Sequence, residues 1–341
     1  MKKTNHSDEL IKLAHGGGGR LSQQLIEQVF LPVFGNEMLN RMDDSAVFDI
    51  PQSKLAFTTD SFVVDPVFFP GGDIGRLAIC GTVNDLSVAG ARPMYISIGF
   101  IIEEGCSIDD LRQIVLSAKE AADEAGVLIV TGDTKVVEKG HGDLVFINTS
   151  GIGVFDQDRN VSGSNAQTGD SIVVNGALGR HGMAVITSRE GLGFQTRINS
   201  DVAPLNHLIE AMFSSTDQIH ALRDATRGGL ATVLNEIARQ SGVSIEIDEV
   251  SIPVHDDVKG ACEILGFDPL YVANEGVVVA CVDGEKADEM VQTMRHKKYG
   301  SDSAVIGRIT EKSGGEVLLK TEIGSHRILD QLSGEQLPRI C

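Results

Sequence analysis

The amino-acid sequence predicts an α/β (α+β) protein built from two domains. Its 341 residues exceed the size at which a single hydrophobic core usually stops growing. Short β-rich runs alternate with helical patterns along the first half, and this alternation starts afresh after a polar, turn-rich stretch at 155–170. We therefore expect two domains joined by a linker.

Four β-rich runs predict strands in the first half: Lys54 to Thr59, Met94 to Ile102, Val127 to Thr131 and Leu144 to Thr149. The clearest helix runs from Ser107 to about Ala125, because apolar residues recur on one face at helical spacing. Ser107 and Asp110 have the S-x-x-D form of a capping box, and Gly126 suits the left-handed position after the helix. The first domain is thus predicted at 36–156, after a glycine-rich segment at 1–35.

The second domain is predicted at 168–320. Its pattern comprises a strand at Ile172 to Val174, a helix at Gly228 to Arg239, a strand at Val277 to Val282 and a helix at Lys286 to Arg295. The last residues, 321–341, form a predicted flexible tail, because Gly334 and Pro338 interrupt helix and strand alike.

The net charge of the chain excludes some classes of partner. Lys and Arg number 29 against 48 Asp and Glu, which gives −19 and opposes binding to nucleic acid or to anionic membranes. No apolar run approaches the roughly 18 residues that a spanning helix needs. The amino terminus lacks the apolar core of a secretory signal, so a soluble, cytoplasmic protein is expected.

The five cysteines are too scattered for a disulfide framework or a zinc site. Cys80 and Cys281 lie in apolar stretches and are predicted to be small core residues. Cys341 is different because it ends the chain. Its thiol is expected to be exposed, mobile and open to modification, although an inert terminal residue remains the alternative.

Acidic residues beside small residues form the main chemical signal of the first half. They are placed by the sequence at turns or strand ends, and they are Asp43, Asp44, Asp60, Asp85 and Asp133. Carboxylates in such positions are ligands that Mg²⁺ takes together with nucleotide phosphates, and Lys135 adds a cation suited to a γ-phosphate. The alternative is that these aspartates only form turns or cap helices.

Gly16 to Gly19 could place free backbone amides around a phosphate, or could serve only as a hinge. Neither a G-x-x-x-x-G-K-[ST] nor a G-x-G-x-x-G motif occurs, so an ATP site would need another architecture.

Two strings in the second half place ionisable groups beside glycine, DATRGGL from Asp224 and ANEG ending at Gly276. We expect Asp224 to cap the following helix. Glu275 precedes an apolar strand, and burial there would raise its pKa and suit it to act as a general base; an exposed turn glutamate is the alternative.

The strings DDSA, TTDS, GTVNDLS, VTGDTK, DATRGGL and ANEG, in this order, resemble the superfamily of aminoimidazole ribonucleotide synthetase and selenophosphate synthetase. The additional strings AHGGGGRL, DPVFFPGGDIGRLAICGTVNDL and the terminal PRIC resemble the carbamoyl dehydratases of hydrogenase maturation within it. The chain departs from selenophosphate synthetase, which carries a reactive cysteine or selenocysteine where this chain has His15 and four glycines.

This resemblance implies a PurM-like architecture in which the N-terminal sheets of two subunits pair to form a homodimer. It implies ATP and Mg²⁺ as cofactors. The metal would lie near Asp44, Asp60, Asp85 and Asp133, and the nucleotide near the same residues with Asp43 and Lys135. Lys135 would also act in catalysis with Glu275 as the base and Cys341 as the modified residue.

By the same resemblance, a carbamoyltransferase partner, HypF, places a carboxamide on Cys341, and this chain dehydrates it to a thiocyanate with ATP. Cyanide then passes to an iron centre held by HypC and HypD. Two rival hypotheses stay open: an ATP-using relative that acts on a free small molecule, and a non-catalytic nucleotide-binding scaffold for metal-cluster assembly.

Overall fold

The computed structural model describes residues 10–12, 25–36, 54–189, 197–311, 314–331, 337 and 339–341. The predicted site residues Asp43 and Asp44 and the glycine-rich run Gly16 to Gly19 lie outside the described residues. Among the described helices, none is long and apolar enough to cross a membrane.

The N-terminal part begins with a short π-helix at Ile26–Phe30 that continues into α1 at Leu31–Phe34. The remaining elements are β1 Leu55–Phe62, β2 Phe68–Phe69, β3 Gly72–Asp73, α2 Ile74–Val88, β4 Arg92–Glu103, α3 Ile108–Ala125, β5 Leu128–Val137 and β6 Val145–Val154. One sheet has the order β1-β6-β4-β5, in which only β4 and β5 are parallel, and β2 pairs with β3 in a small hairpin.

Helix α3 has the ends that the sequence predicts. The Ser107 hydroxyl accepts hydrogen bonds from the backbone N–H groups of Asp109 and Asp110, at 3.2 and 3.4 Å. Gly126 ends the helix in the left-handed conformation, with φ 72°. These caps satisfy backbone groups that a helix leaves unpaired at its ends.

Helix α2 was not predicted, although it carries Asp85. Twelve of its fifteen residues are buried, so it lacks the polar face that gives a surface helix its sequence periodicity. It packs on β1 and β6 and against α3. The prediction that Asp85 lies at a turn or strand end is therefore wrong, because Asp85 belongs to a buried helix.

No helix of the described residues covers the other face of this sheet. This open face displays Phe57, which is 71% exposed, and Ile101, which is 42% exposed. The neighbouring side chains on this face include Tyr95 and Ile152, which lie in register with each other. An exposed apolar face of this kind is typical of an interaction surface.

The C-terminal part contains β7 Asp170–Val174, α4 Arg180–Ser188, α5 Asn206–Ser215, β8 Ile219–Asp224, α6 Gly229–Ser241, β9 Ser244–Asp248, α7 Asp256–Leu265, β10 Val278–Asp283, α8 Ala287–Arg295, β11 Ala304–Glu311, β12 Val317–Lys320 and β13 His326–Ile328. They build a seven-stranded sheet of order β13-β12-β9-β11-β7-β10-β8. Only β9 and β12 pair in parallel.

Helices cover both faces of this larger sheet. One core joins α6 to Ile172, Val174 and Cys281, and the other joins α5 and α8 to Val173 and Ala280. Neighbouring strand residues thus enter opposite cores, because side chains alternate across a sheet. Burial on both faces explains the apolar runs Ile172 to Val174 in β7 and Val278 to Val282 in β10. Cys281 in this sheet and Cys80 in α2 are both fully buried, which confirms them as core residues.

Candidate active site

The strand β1 and the helix α2 bring two of the predicted aspartates together. Asp60 lies on the β1 face that meets α2, where the Thr82 hydroxyl donates to its Oδ2 at 3.3 Å. The Thr58 hydroxyl, two residues earlier on the same face, donates to Asp85 Oδ2 at 2.7 Å. Strand periodicity and the last two turns of α2 therefore place both carboxyls at one point.

A third carboxyl joins them from the C-terminal part. Asp224 ends β8, and its charge interacts with those of Asp60 and Asp85. The prediction that Asp224 caps the next helix is wrong, since α6 begins at Gly229 after Gly228 in a left-handed conformation. We refer to Asp60, Asp85 and Asp224 as the acidic cluster.

Burial and mutual repulsion raise the pKa values of the acidic cluster. Burial and then the charge of Asp85 raise the pKa of Asp60 to about 6 and that of Asp224 to about 7. The pKa of Asp85 is also raised, chiefly by burial. Like charges held together in a poorly solvated place are stabilised by a cation, and three carboxyls supply the hard oxygen ligands that Mg²⁺ prefers.

The acidic cluster does not by itself enclose a metal ion. Across the described ranges, no group of three or more His, Cys, Asp or Glu residues could hold one alone. Mg²⁺ in nucleotide sites commonly takes one or two carboxylates and completes its shell with water and phosphate oxygens. The cluster thus fits a metal that arrives with a nucleotide.

Asp133 and Lys135 lie on the opposite face of the N-terminal sheet. In register, Asp133 pairs with Gly99, and Gly99 pairs with Asn148. Asn148 precedes Thr149, whose hydroxyl meets that of Thr82 at 2.5 Å on the α2 face. Because neighbouring residues face opposite sides, Asp133 projects from the open face.

Lys135, two residues further along β5, shares this face, and both residues are exposed. The expectation that Asp133 and Lys135 gather with Asp60 and Asp85 is therefore not met within one chain. Spacing along the sequence could not reveal this, since it does not say which face of a strand is covered.

The C-terminal cysteine lies in a site of its own next to the acidic cluster. The Arg227 Nε–H donates to the Cys341 sulfur at 3.1 Å, and the Cys341 thiol interacts with the Glu275 carboxyl. Cys341 is only partly accessible, which contradicts the expectation of an exposed, mobile thiol. Burial, and then the nearby Glu275 charge, raise the pKa of this thiol to about 12.

Glu275 is the most strongly perturbed carboxyl of this site. It is 3% exposed, and burial followed by the charges of Asp224 and Asp201 raises its pKa well above the usual value. Its Oε1 has no hydrogen-bond partner among the described residues. A buried carboxyl with a free oxygen and a raised pKa is a strong base once ionised, so the alternative of an exposed turn glutamate is wrong.

The backbone around Glu275 is held by polar side chains and a close approach of two loops. Asp201 Oδ2 accepts from the N–H groups of Glu275 and Gly276 at 3.2 and 3.0 Å. A side chain at Gly276 would meet the Asp201 backbone oxygen at 1.9 Å, so glycine is required. Asn274 donates to the Ala225 carbonyl at 2.8 Å, which ties ANEG to DATRGGL.

Arg227 links the cysteine site to the acidic cluster. Its charge lowers the pKa values of both Asp60 and Glu275. Sequence reasoning singled out the string DATRGGL but missed Arg227 as a site residue, although its position between Asp224 and two glycines was a usable signal. It also missed Asp201, for which the sequence carries no local signal.

Comparisons with known proteins place the chain in a family. The family model for AIR synthase related protein, N-terminal domain, matches residues 42–155, and the model for the corresponding C-terminal domain matches residues 167–320. A solved thiamine-monophosphate kinase from Stenotrophomonas maltophilia shares the fold at a TM-score of 0.65, with 19% identity over 88% of this chain and 96% of that one.

More similar proteins include carbamoyl dehydratases named HypE. The chain is 49% identical to the carbamoyl dehydratase HypE of Azotobacter vinelandii over 100% of both chains. It is 44% identical to that of Escherichia coli over 97% of this chain and 99% of the relative. A solved HypE in complex with ATP has a TM-score of 0.93 and 47% identity, covering 96% of this chain and 99% of that one. The chain therefore belongs to the AIR synthase related family and, within it, to the HypE carbamoyl dehydratases.

Proposed function

We propose that this chain uses ATP to dehydrate an S-carboxamide on its own Cys341 to an S-thiocyanate, which supplies cyanide for the iron centre of NiFe-hydrogenase. The observation that carries the proposal is the position of the Cys341 sulfur between Arg227 and Glu275. A carboxamide on this sulfur would extend one bond from Sγ, within reach of a buried base. The acidic cluster lies close to this site, since the charge of Arg227 acts on Asp60 and that of Asp224 acts on Glu275.

The reaction has two chemical steps. First, the carboxamide oxygen attacks the γ-phosphorus of ATP; its bond to phosphorus forms as the bond to ADP breaks, and one amide proton leaves. Second, the remaining N–H proton is removed, the carbon–oxygen bond breaks and phosphate departs, which leaves the carbon–nitrogen triple bond. Phosphorylation is needed because an amide oxygen alone is a poor leaving group.

Glu275 is the proposed acceptor of the N–H proton removed in the second step, and the proton lost in the first step passes to a phosphate oxygen. The raised pKa of Glu275 makes its carboxylate a stronger base than an exposed glutamate, and its Oε1 is free to accept. Arg227 holds the sulfur through its Nε–H, which fixes the direction in which the carboxamide points. Bulk water reaches the Glu275 carboxyl poorly, because Glu275 and the neighbouring Asn274 are buried.

The proposed metal is Mg²⁺, held by Asp60 and Asp85 with Asp224 nearby. When bound there with ATP, it would neutralise phosphate charge and orient the γ-phosphate. The raised pKa values of Asp60 and Asp224 support this role, since a cation would offset both the burial and the repulsion that raise them.

The proposed assembly is a homodimer in which the open faces of two N-terminal sheets pair. The exposed apolar side chains of this face, such as Phe57 and Ile101, support such pairing. Asp133 and Lys135 project from the same face, so in a dimer they would approach the partner subunit. We propose that each contributes to the nucleotide site across the dimer, with Lys135 as the cation near the γ-phosphate.

The proposed partners act before and after this step. A solved HypE–HypF complex resembles this chain with a TM-score of 0.79 and 51% identity, covering 90% of this chain and 99% of that one. We propose that a HypF carbamoyltransferase loads Cys341 and that a HypC–HypD complex receives the cyanide. Both require the tail to leave its site and return.

The direct test is the mass of the protein after carbamoylation by HypF, before and after addition of Mg²⁺ and ATP. We expect the C-terminal peptide to lose the mass of one water only when ATP is present. A Cys341→Ala variant should neither gain the carboxamide nor lose water. A carbamoylated tail that stays unchanged while ATP is consumed would point to a free small molecule as the substrate.

A further inference from the structure

The last residues of the chain are docked by their backbone as well as by their side chains. The Arg339 carbonyl accepts from the Asp65 N–H at 3.1 Å and from Arg189 Nη2 at 3.0 Å. The Arg339 guanidinium pairs with Asp143 at 3.2 Å. The side chains of Leu337 and Ile340 are buried in the core that joins the N-terminal part to α4 of the C-terminal part. The expected free tail therefore has a specific bound position.

A buried histidine contacts the peptide group immediately before Cys341. His181 is fully buried on α4, and its Nε2 lies 2.7 Å from the Ile340 carbonyl oxygen. A carbonyl can only accept, so Nε2 must carry the hydrogen. The planar peptide group of this carbonyl also contains the nitrogen of Cys341, so holding the carbonyl orients the start of the last residue.

A serine fixes the tautomer that this contact requires. Ser200 Oγ lies 2.8 Å from His181 Nδ1 and accepts the Val202 N–H at 3.1 Å. Its hydroxyl hydrogen is therefore available to Nδ1, which is the acceptor nitrogen of the neutral ring. Burial lowers the pKa of His181 to about 4, so the ring is neutral at physiological pH.

The N-terminal part holds this pair in place. The Phe69 ring meets the His181 ring edge-on at 5.3 Å between centroids, and the Ser200 N–H donates to the Pro70 carbonyl at 2.7 Å. A side chain at Gly71 would meet the Ser200 nitrogen at 2.7 Å, so this turn is built for a close approach. The hairpin of β2 and β3 thus packs against His181 and Ser200 and holds both residues in position.

We propose that His181, oriented by Ser200, is a positioning residue that latches the tail in its reactive position through the Ile340 carbonyl. It does not touch the reacting atoms; it acts through the backbone that carries Cys341. The effect of this contact on dehydration rests on the proposed function. The contact between His181 and the tail does not depend on the proposed function. Its test therefore uses neither carbamoylation nor ATP.

The test is the rate at which an aromatic disulfide reagent modifies Cys341 in the full-length unmodified protein. The other four cysteines are buried, so the fast-reacting thiol reports how often the tail leaves its site. Loss of a hydrogen bond of ordinary strength predicts that His181→Phe raises this rate by about 3- to 10-fold. Ser200→Ala should raise the rate by about 2- to 3-fold, since the acceptor nitrogen loses its donor.

Two further variants distinguish loss of the contact between His181 and the tail from a general loss of protein stability. His181→Gln keeps an N–H near the position of Nε2 and should react at close to the wild-type rate. His220→Phe removes a histidine bonded to Asp170 in the C-terminal sheet, away from the tail, and should leave the rate unchanged. Equal rates for His181→Phe and the wild type would overturn the proposal. If His181→Phe unfolds and exposes all five thiols, an unchanged rate in Ser200→Ala overturns it instead.

Discussion

Replacement of Glu275 by glutamine is expected to slow formation of the nitrile by about 10²- to 10⁴-fold, the usual contribution of a general base. Glutamine keeps the shape of the side chain but cannot take a proton from the carboxamide. The buried position of Glu275 and its free Oε1 make it the best-placed base beside Cys341. Loading of Cys341 by HypF should persist, because the sulfur is unchanged.

The measurement is a single turnover of the carbamoylated protein with Mg²⁺ and ATP, followed by the mass of the C-terminal peptide. Glu289→Gln is a matched control, since Glu289 is exposed on α8 and pairs with Lys286 at 3.8 Å on the surface. Nitrile formation at the wild-type rate in Glu275→Gln would remove Glu275 from the mechanism. A variant that no longer accepts the carboxamide would instead show a role in presenting the tail.

The second large effect is expected from mixing two inactive variants. Asp60→Asn and Asp133→Asn should each lower nitrile formation by about 100-fold, because each removes charge that the metal nucleotide needs. The two residues lie on opposite faces of one sheet, so each site would take Asp60 from one chain and Asp133 from the other. A purified heterodimer then has one intact site and regains about half of the wild-type activity.

A second heterodimer distinguishes active sites shared between the two chains from active sites formed within one chain. Asp60 and Glu275 are both expected to serve the site of their own chain, so a heterodimer of Asp60→Asn and Glu275→Gln should stay inactive. Co-expression with two different purification tags yields both heterodimers. Failure of the Asp60→Asn and Asp133→Asn pair to recover activity would place Asp133 outside the partner's site and would refute shared sites.

Local patterns predicted four strands and one helix of the N-terminal part and two strands and two helices of the C-terminal part, but not the remaining elements. The capping box at Ser107 and the periodic apolar face gave α3 its correct ends, and alternation gave the approximate positions of β1, β4, β5 and β6. Helix α2 was not predicted, because it is buried on nearly all sides and its sequence lacks a periodic alternation of apolar and polar residues. A short apolar run in a sequence is compatible with either a buried helix or a buried strand.

The site was only partly predictable, since tertiary contacts decide which residues meet. Glu275 could be predicted, because a glutamate just before a buried strand is itself drawn into the core. The interaction of His181 with Ile340 joins residues 159 positions apart, and no local signal marks it. The separation of Asp133 from Asp60 likewise depends on which face of the sheet α2 covers.

The fate of the carboxamide oxygen tests the central claim most directly. HypF would load Cys341 with a carboxamide that carries a heavy oxygen isotope, and Mg²⁺ and ATP would then be added in ordinary water. If ATP phosphorylates this oxygen before it leaves, the heavy isotope must appear in the released inorganic phosphate, one atom for each nitrile formed. Appearance of the heavy isotope in water, with unlabelled phosphate, would contradict dehydration through a phosphorylated carboxamide.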